Sequence, residues 1–137
     1  DDALEQTINR IFNIESRSWK GSDGGGITAP GFGNFYNMML PMLSANKGLL
    51  VGFATRDGED LAYIFGGLFA GGYRGLQMSF VEKTRTLGLG NYAQLQTIKY
   101  LTNHGILRYD LGQDMPYKHA WGETTKTTRA LVINKRH

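Results

Sequence analysis

The 137-residue sequence has no cysteine, three prolines and three histidines. Without cysteine, disulfide frameworks, thiol nucleophiles and thiolate metal sites are excluded. The histidines His104, His119 and His137 do not have the spacing of a zinc-binding motif, so we predict no metal site. The most apolar stretch, residues 61–70, contains two glycines and is shorter than the roughly 18 residues of a membrane-spanning helix. We therefore predict no membrane span.

Charge of either sign is also modest, since 15 basic and 12 acidic residues give a net charge of +3. With 41% apolar and 20% charged residues, the chain has the composition of a globular domain, and its length is typical of one domain. Five of the basic residues but one acidic residue lie in the last 20 positions. This basic tail could attract phosphates or acidic surfaces, or it could be a solvated final strand.

Apolar periodicity predicts two helices in the N-terminal third of the chain. The first covers residues 2–20 and ends in the glycine-rich loop 21–26. The second covers about 30–45, with Pro41 able to kink its middle. The residues at helical spacing are Leu4, Ile8, Ile11, Phe12, Glu15 and Trp19 on the first helix, and Phe35, Tyr36, Met39, Leu40 and Leu43 on the second.

Alternating apolar residues and glycine turns predict strands in the middle of the chain. The turn at 56–58 indicates a hairpin, and a second turn is predicted at 71–72. A helix at 91–103 then connects the third strand to a parallel fourth. The expected fold class is α/β, with helices on a mixed sheet. The strands are expected at 49–55, 60–69, 73–80, 106–111 and 127–133, with a helical turn at 117–121, and the connecting helix is expected to bury Leu95, Ile98 and Leu101 or Tyr100.

The segment 85–90, Arg-Thr-Leu-Gly-Leu-Gly, lies between a predicted strand and a predicted helix. Its two glycines allow a tight turn whose N–H groups point inward, and the helix adds its unpaired N-terminal N–H groups and its dipole. Such a loop can bind a phosphate or pyrophosphate, with Arg85 adding charge at the rim. It is neither a Walker loop nor GxGxxG. The spacing taken alone fits a tight turn without a ligand equally well.

This Arg-x-x-Gly-x-Gly element, between a three-stranded meander and an amphipathic helix, resembles the pyrophosphate loop of the GNAT acyltransferase superfamily. Other segments resemble the acetyltransferase domain of its FemAB-like group, which is also named after cellulose-biosynthesis proteins. The resemblance covers about residues 15–133. The matching segments are Glu15-Ser16-Arg17-Ser18-Trp19-Lys20-Gly21, Phe35-Tyr36, Tyr109-Asp110-Leu111-Gly112, Tyr117-Lys118 and Trp121-Gly122.

The resemblance implies a GNAT-like α/β (α+β) fold with a mixed, mostly antiparallel sheet, flanking helices, and a parallel pair of strands, the third and fourth, that splay apart. It also implies acetyl-CoA as the acyl-donor cosubstrate. The pantetheine arm would pair with the third strand and the pyrophosphate would lie on the loop. The residues implied to bind acetyl-CoA are Met78, Phe80, Arg85, Leu87, Gly88, Leu89, Gly90 and Asn91.

The activity implied by the resemblance is N-acyl transfer, in which an amine attacks the thioester directly through a tetrahedral oxyanion. The reaction requires a base for the ammonium proton and can use an acid for the departing thiolate. Asp110 or Glu15 is the candidate base and Tyr117 the candidate acid. Asp110 could instead cap a turn or pair with Lys118, and Glu15 could pair with Arg10 or Lys20 on its own helix face. The candidate substrate-binding residues are Trp19, Tyr36 and Lys118, although both aromatic residues could equally belong to the core.

We expect residues 1–137 to be a single GNAT-like domain and the C-terminal copy of a longer two-domain protein, because the chain begins with Asp1 and the group carries a second copy. The expected acceptor is an amine of a small molecule, sugar or amino acid, and the expected location is the cytoplasm. Two alternatives stay open: a FemABX-type transferase that uses aminoacyl-tRNA, and a non-catalytic GNAT-like ligand-binding module. Basic residues are too few for an RNA face, so we expect no nucleic-acid partner.

Overall fold

The computed structural model describes residues 2–131, in which four α-helices and four strands follow one another. No helix in this part of the chain is both long and apolar enough to cross a membrane. The helices are α1 (Asp2–Ser16), α2 (Trp19–Ser22), α3 (Phe32–Ala45) and α4 (Leu89–Asn103). The strands are β1 (Leu49–Arg56), β2 (Glu59–Phe69), β3 (Gly72–Phe80) and β4 (Arg108–Asp110), and short 3₁₀ helices cover Gly26–Thr28, Glu82–Leu87 and Pro116–Ala120.

The four strands form one sheet in the order β1-β2-β3-β4. The first three form an antiparallel meander, and β4 lies parallel to β3 after the crossover through α4. The β1–β2 turn has φ angles of 51° at Asp57 and 77° at Gly58, as a type I′ hairpin requires. The second turn has its positive φ angles at Ala70 and Gly71, so it lies one residue earlier than the predicted turn at 71–72. The predicted α/β fold with a mixed sheet is confirmed.

The first helix was predicted too long, because α1 ends at Ser16. The N–H groups of residues 17 and 18 bond to carbonyls three residues earlier, which closes the helix. Ser18 then caps α2, since its hydroxyl oxygen accepts a hydrogen bond from the Gly21 N–H (3.2 Å). Only glycine fits at position 21, because a Cβ there would lie 2.2 Å from the main-chain oxygen of Glu15. The chain therefore changes direction between α1 and α2.

The last predicted strand, residues 127–133, is wrong for the part that the structure describes. Residues 127–131 form no strand and are exposed, Leu131 by 87%. A strand needs a neighbouring edge to pair its backbone groups, and residues 127–131 pair with none of the four strands. Residues 132 and 133 lie outside the described residues. The fourth strand is also shorter than the predicted 106–111.

The hydrophobic core lies where α1 and α3 pack on the sheet. α3 runs through Pro41 without interruption, as its predicted range requires, but Phe35 on its predicted apolar face is 55% exposed. The core residues are Ile11, Ile14, Ile27, Tyr36, Leu40, Tyr63, Phe65 and Val81.

Helix α4 packs on the sheet through a different face from the predicted one. Leu95 was predicted to be buried but is 41% exposed, and of the two alternatives Leu101 and Tyr100 it is Tyr100 that is exposed, by 45%. Ala93 and Thr97 are buried instead. Because these side chains are small, the helix can approach the strands closely, which the apolar pattern alone does not indicate. Leu101 is buried as predicted.

The parallel strands β3 and β4 separate after a short paired segment. Their pairing covers only residues 72–74 and 108–110. The register between β2 and β3 shifts at this point, so that Leu76 is an extra residue on β3, and such a bulge bends a strand. The Tyr109 ring lies against Gly75, where a Cβ would be 3.1 Å from a ring carbon. From Gly75 onward, β3 has no partner strand on this side among the described residues.

A bidentate ion pair ties α1 to β2. Arg10 donates to both Asp60 carboxylate oxygens at 2.7 and 2.8 Å, and this hydrogen bonding holds the pKa of Asp60 below its usual value. We expect Asp60→Asn to lower the free energy of unfolding by about 1 kcal/mol at pH 7, because the pair is only partly screened by solvent. Urea denaturation of both proteins measures the difference.

The stabilisation by this pair should depend on pH in one direction. A carboxylate whose folded pKa is lowered stabilises the fold fully above its unfolded pKa of about 3.9, and the effect disappears as the pH falls through the folded value. The difference between wild type and Asp60→Asn should therefore shrink from pH 5 downward. Asp57→Asn, at a residue with a side chain 95% exposed, is the control and should show little effect. A difference for Asp60→Asn that persists unchanged at pH 3 would contradict the prediction.

Candidate functional site

The gap between β3 and β4 opens into a cavity of about 320 Å³. Its walls come from the unpaired half of β3, the start of α4, and the segment that follows β4. Among the lining residues are Gly75, Leu76, Gln77, Met78 and Phe80 from β3, Arg85, Gly88, Leu89, Gly90, Asn91 and Gln94 around the start of α4, and Tyr109, Leu111, Tyr117, Lys118 and Trp121 from β4 and beyond.

The N-terminus of α4 presents main-chain N–H groups to this cavity. Gly88 is the N-cap residue with a left-handed conformation (φ 64°, ψ 30°), and no side chain caps the helix. Within residues 2–131, no protein atom accepts a hydrogen bond from the N–H groups of residues 88–91. Four unpaired N–H groups at the positive end of a 15-residue helix are suited to bind an anion.

Seven of the eight residues predicted to bind the acyl donor line the cavity. Arg85 is among them, although its guanidinium is paired with Glu82 at 2.8 and 3.1 Å. The exception is Leu87, which is half exposed and lines a second groove together with Tyr92 and Ala54. The 3₁₀ turn before Gly88 directs this leucine away from the loop's concave side.

The unpaired edge of β3 lies beside these N–H groups. Val81 N–H donates to the Leu61 carbonyl on β2 (2.8 Å), and main-chain groups point to alternate sides along a strand. Met78 and Phe80 therefore direct their N–H and C=O groups toward the unpaired edge. Lys20 Nζ donates to the Met78 carbonyl oxygen from this side (2.8 Å). An extended ligand can pair with this edge as an additional strand would.

Asp110 lies at the end of β4 and does not line the cavity. Its carboxylate accepts hydrogen bonds from Arg74 and from the Gly112 N–H (2.8 Å). Partial burial raises the pKa of Asp110, but these two donors outweigh burial and hold the pKa below its usual value. A carboxylate with a lowered pKa is a weak base, so this geometry favours the turn-capping alternative named from the sequence.

Glu15 is fully buried and also lies outside the cavity lining. The Tyr63 hydroxyl donates to its Oε2 (2.8 Å) and the Ile27 N–H to its Oε1 (3.4 Å). Burial and the nearby carboxylate raise the pKa of Tyr63, which keeps this phenol protonated as a donor. Arg10, on the same helix, pairs with Asp60 rather than with Glu15. Glu15 therefore organises the segment around α2 and has no direct access to the cavity.

Tyr117 and Lys118 both line the cavity. Lys118 Nζ donates to the Gln113 carbonyl (2.8 Å) and lies 5.7 Å from the centre of the Tyr117 ring. Trp19 and Tyr36 do not line the cavity: Trp19 is 45% exposed, whereas Tyr36 belongs to the core and accepts a hydrogen bond from Gln77 Nε2 (2.7 Å). Lys118 is thus the predicted substrate-binding residue that the structure brings to the cleft.

Three polar residues of the cavity, Gln77, Gln94 and Tyr109, were not identified from the sequence as site residues. The Tyr109 hydroxyl donates to Gln94 Oε1 (2.9 Å), and burial raises the pKa of Tyr109 to about 12. The position of Gln94, one helical turn after Gly90, indicates a shared face of α4 and could have revealed it. Among the described lining residues there is no Asp or Glu.

Comparisons with known proteins were made by family model, sequence and structure. The family model described as "Acetyltransferase (GNAT) domain" matches residues 1–119. A search of curated proteins finds no match. The chain is similar in fold to the aminoglycoside 6′-N-acetyltransferase AAC(6′)-IG of Acinetobacter haemolyticus, with a TM-score of 0.59, 14% identity, and 96% of this chain and 94% of that chain covered.

Two further solved structures share the fold. The PaiA N-acetyltransferase of Thermoplasma acidophilum, in complex with coenzyme A, has a TM-score of 0.54 and 15% identity over 74% of this chain and 69% of that chain. AAC(6′)-Iy, in complex with the bisubstrate analog CoA-S-monomethyl-acetylneamine, has a TM-score of 0.61 and 14% identity over 96% and 92%. Since the family model covers most of the chain, the protein belongs to the acetyltransferase (GNAT) domain family, the N-acetyltransferases that use acetyl-CoA as acyl donor.

Proposed function

We propose that this domain transfers an acetyl group from acetyl-CoA to a primary amine of a small molecule, sugar or amino acid. The observation that carries the proposal is the cradle of unpaired N–H groups at residues 88–91 beside the unpaired edge of β3. The N–H groups can bind a diphosphate, and the unpaired strand edge can pair with an extended arm that contains amides. Both features open into one cavity.

The residues present fit this donor. The N–H groups of 88–91 would hold the diphosphate, and the edge groups of Met78 and Phe80 would pair with the amides of the pantetheine arm. Arg85 and Lys118 line the same cavity and add positive charge near the phosphates. When bound, acetyl-CoA supplies a thioester carbonyl carbon for an amine to attack.

In our proposal Tyr117 acts as the acid, because its phenol lines the cavity and can give a proton to the departing thiolate. In this reaction the C–N bond forms, the C–S bond breaks, and the attacking amine loses one proton. Because the lining contains no carboxylate among the described residues, we propose that this proton passes to water rather than directly to Asp110 or Glu15.

We propose an amino sugar as the first acceptor to test. One of the similar structures is named as an aminoglycoside 6′-N-acetyltransferase, and another contains an acetylneamine-based bisubstrate analog. Lys118, in the cavity, is available to contact an acidic or hydroxyl group of the acceptor. Trp19 and Tyr36 do not line the cavity, so we do not propose them as acceptor contacts.

Within the family, we assign the chain to the FemAB-like group. The support is the segment 15–21, whose residues build the Glu15 and Lys20 contacts behind the cleft. We also propose a second domain of similar fold in the complete protein, because such a domain would cover an exposed apolar stripe on α3. The stripe comprises Phe32, Phe35, Met38 and Met42, which are 60%, 55%, 70% and 64% exposed.

The cytoplasm is our proposed location because acetyl-CoA is available there.

One observation favours a second candidate, a ligand-binding module without turnover. Within residues 2–131 the lining lacks a carboxylate base, and the two carboxylates predicted from the sequence are engaged elsewhere. Such a module would bind CoA as the enzyme does. The two candidates therefore differ only in whether the thioester is consumed.

Thiol release from acetyl-CoA tests the proposal. Neamine and a panel of amino sugars and amino acids are offered, and each amine has a control in which a hydroxyl replaces the amino group. We expect saturable thiol release with at least one amine and none above background with its hydroxyl counterpart. Tyr117→Phe should lower kcat roughly tenfold to a hundredfold and leave the affinity for CoA unchanged. CoA binding without release from any amine would support the module instead.

A further inference from the structure

Lys20 does not line the cavity, but it approaches the unpaired edge of β3 from a part of the chain that precedes the sheet. It lies on α2, and its ammonium donates to the Met78 carbonyl oxygen across 2.8 Å. Met78 lines the cavity and directs its main-chain groups to the unpaired edge of β3. Lys20 therefore places a positive charge at the edge along which an extended ligand would run.

The break between α1 and α2 brings Lys20 to this place. In one continuous helix, residues 15 and 20 would lie about 140° apart around the axis. The break returns the chain over the buried Glu15, and Gly26 leaves room for both side chains, since a Cβ there would lie 2.0 Å from Glu15 Oε1 and 3.1 Å from Lys20 Cβ. Burial lowers the pKa of Lys20, and the charge of Glu15 opposes this change.

The ammonium retains hydrogen-bonding capacity. A lysine ammonium has three N–H donors and no acceptor. Within residues 2–131, the Met78 oxygen is the one hydrogen-bond partner of Lys20 Nζ. The remaining donors lie beside an edge that otherwise offers only neutral main-chain groups. A ligand carbonyl passing Met78 would meet a charged donor, which binds more strongly than a neutral one.

We propose that Lys20 is a binding residue for a carbonyl oxygen of the pantetheine arm of the acyl donor. The inference rests on the proposed function, since it assumes that CoA lies along β3. A charged donor at Met78 selects which carbonyl of the arm stops there, and so sets how far the thioester enters the gap.

Calorimetric titration of two ligands tests the inference. CoA contains the arm, whereas 3′-phospho-ADP contains the nucleotide and diphosphate without it. We expect Lys20→Met to weaken CoA binding roughly tenfold to a hundredfold and to change 3′-phospho-ADP binding less than twofold, because one charge-assisted hydrogen bond is lost. Lys20→Arg keeps the positive charge and should restore part of the CoA affinity.

The outcomes separate this inference from the proposed function. If wild type binds CoA and Lys20→Met binds it equally well, the role of Lys20 is overturned and the proposed function stands. Equal weakening for both ligands would also overturn it, since that result indicates a general structural defect. Failure of wild type to bind either ligand would overturn the proposed function itself. Thermal unfolding without ligand shows whether each variant is folded.

Discussion

Gly88→Asp is expected to abolish the stabilisation that CoA gives to the wild-type protein. At about 100 times its dissociation constant, a ligand adds ~2.7 kcal/mol to the free energy of unfolding. In the variant, the carboxylate would stand at the N-cap of α4, where it can accept hydrogen bonds from the N–H groups of the first turn. It would then occupy the cradle and repel the diphosphate, so we expect less than about 0.5 kcal/mol of stabilisation at the same CoA concentration.

Two further variants separate charge from backbone strain. Gly71 has φ 72° and, like Gly88, no heavy atom within 4 Å of an added Cβ, but it lies in the β2–β3 turn. Gly71→Asp therefore carries the same strain and charge away from the site and should retain the full CoA effect. Gly88→Ala leaves the N–H groups unoccupied and should bind CoA with intermediate affinity. An undiminished thermal shift for Gly88→Asp would remove the basis of the diphosphate site.

Gly26→Ala should cause a large loss of stability. Gly26 has φ 65°, and a Cβ there would lie 2.0 Å from Glu15 Oε1. A left-handed conformation would cost the alanine about 1 kcal/mol. Its Cβ would also displace the buried Glu15 carboxylate, which accepts a hydrogen bond from the Tyr63 hydroxyl. Breaking a buried hydrogen bond to a charged group adds roughly 2–3 kcal/mol. We expect urea denaturation to show a total loss of about 3–4 kcal/mol.

Gly24→Ala is the matched control for this variant. Gly24 has φ 70°, two residues earlier in the same loop, but its added Cβ has no neighbour within 4 Å among the described atoms. It should lose only the conformational part, about 1 kcal/mol. Equal losses for the two variants would mean that the contact with Glu15 contributes nothing. Because Lys20 lies against the same glycine, Gly26→Ala should also weaken CoA binding in whatever fraction stays folded.

Features set by local sequence were predictable. The range of α3, the three strands of the meander and the 57–58 turn follow from apolar periodicity and from residues that tolerate positive φ. The loop at 85–90 was also recognisable, because its glycines and the helix after it are adjacent in the chain. Local patterns therefore indicated the cradle, whereas the separation of the two strands beside it was expected from the resemblance to the GNAT superfamily.

Features set by tertiary packing were not predictable. The buried face of α4 carries Ala93 and Thr97. These small side chains let the helix pack closely on strands that are distant in the sequence. The break after Ser16 depends on how Gly21 packs over the Glu15 carbonyl. The sequence therefore indicated Lys20 only as a partner for Glu15, and it indicated Asp110 as a candidate base because the contact with Arg74 joins residues 36 positions apart.

The bulge at Leu76 bears on how quickly the donor can enter. The extra residue and the Tyr109 ring keep β3 and β4 apart in the folded protein itself, so the opening is preorganised. Entry then requires no rupture of interstrand hydrogen bonds and no slow opening step before encounter. For the binding mode proposed above, we expect association to approach the rate of diffusion, because the positive N-terminus of α4 attracts the anionic nucleotide.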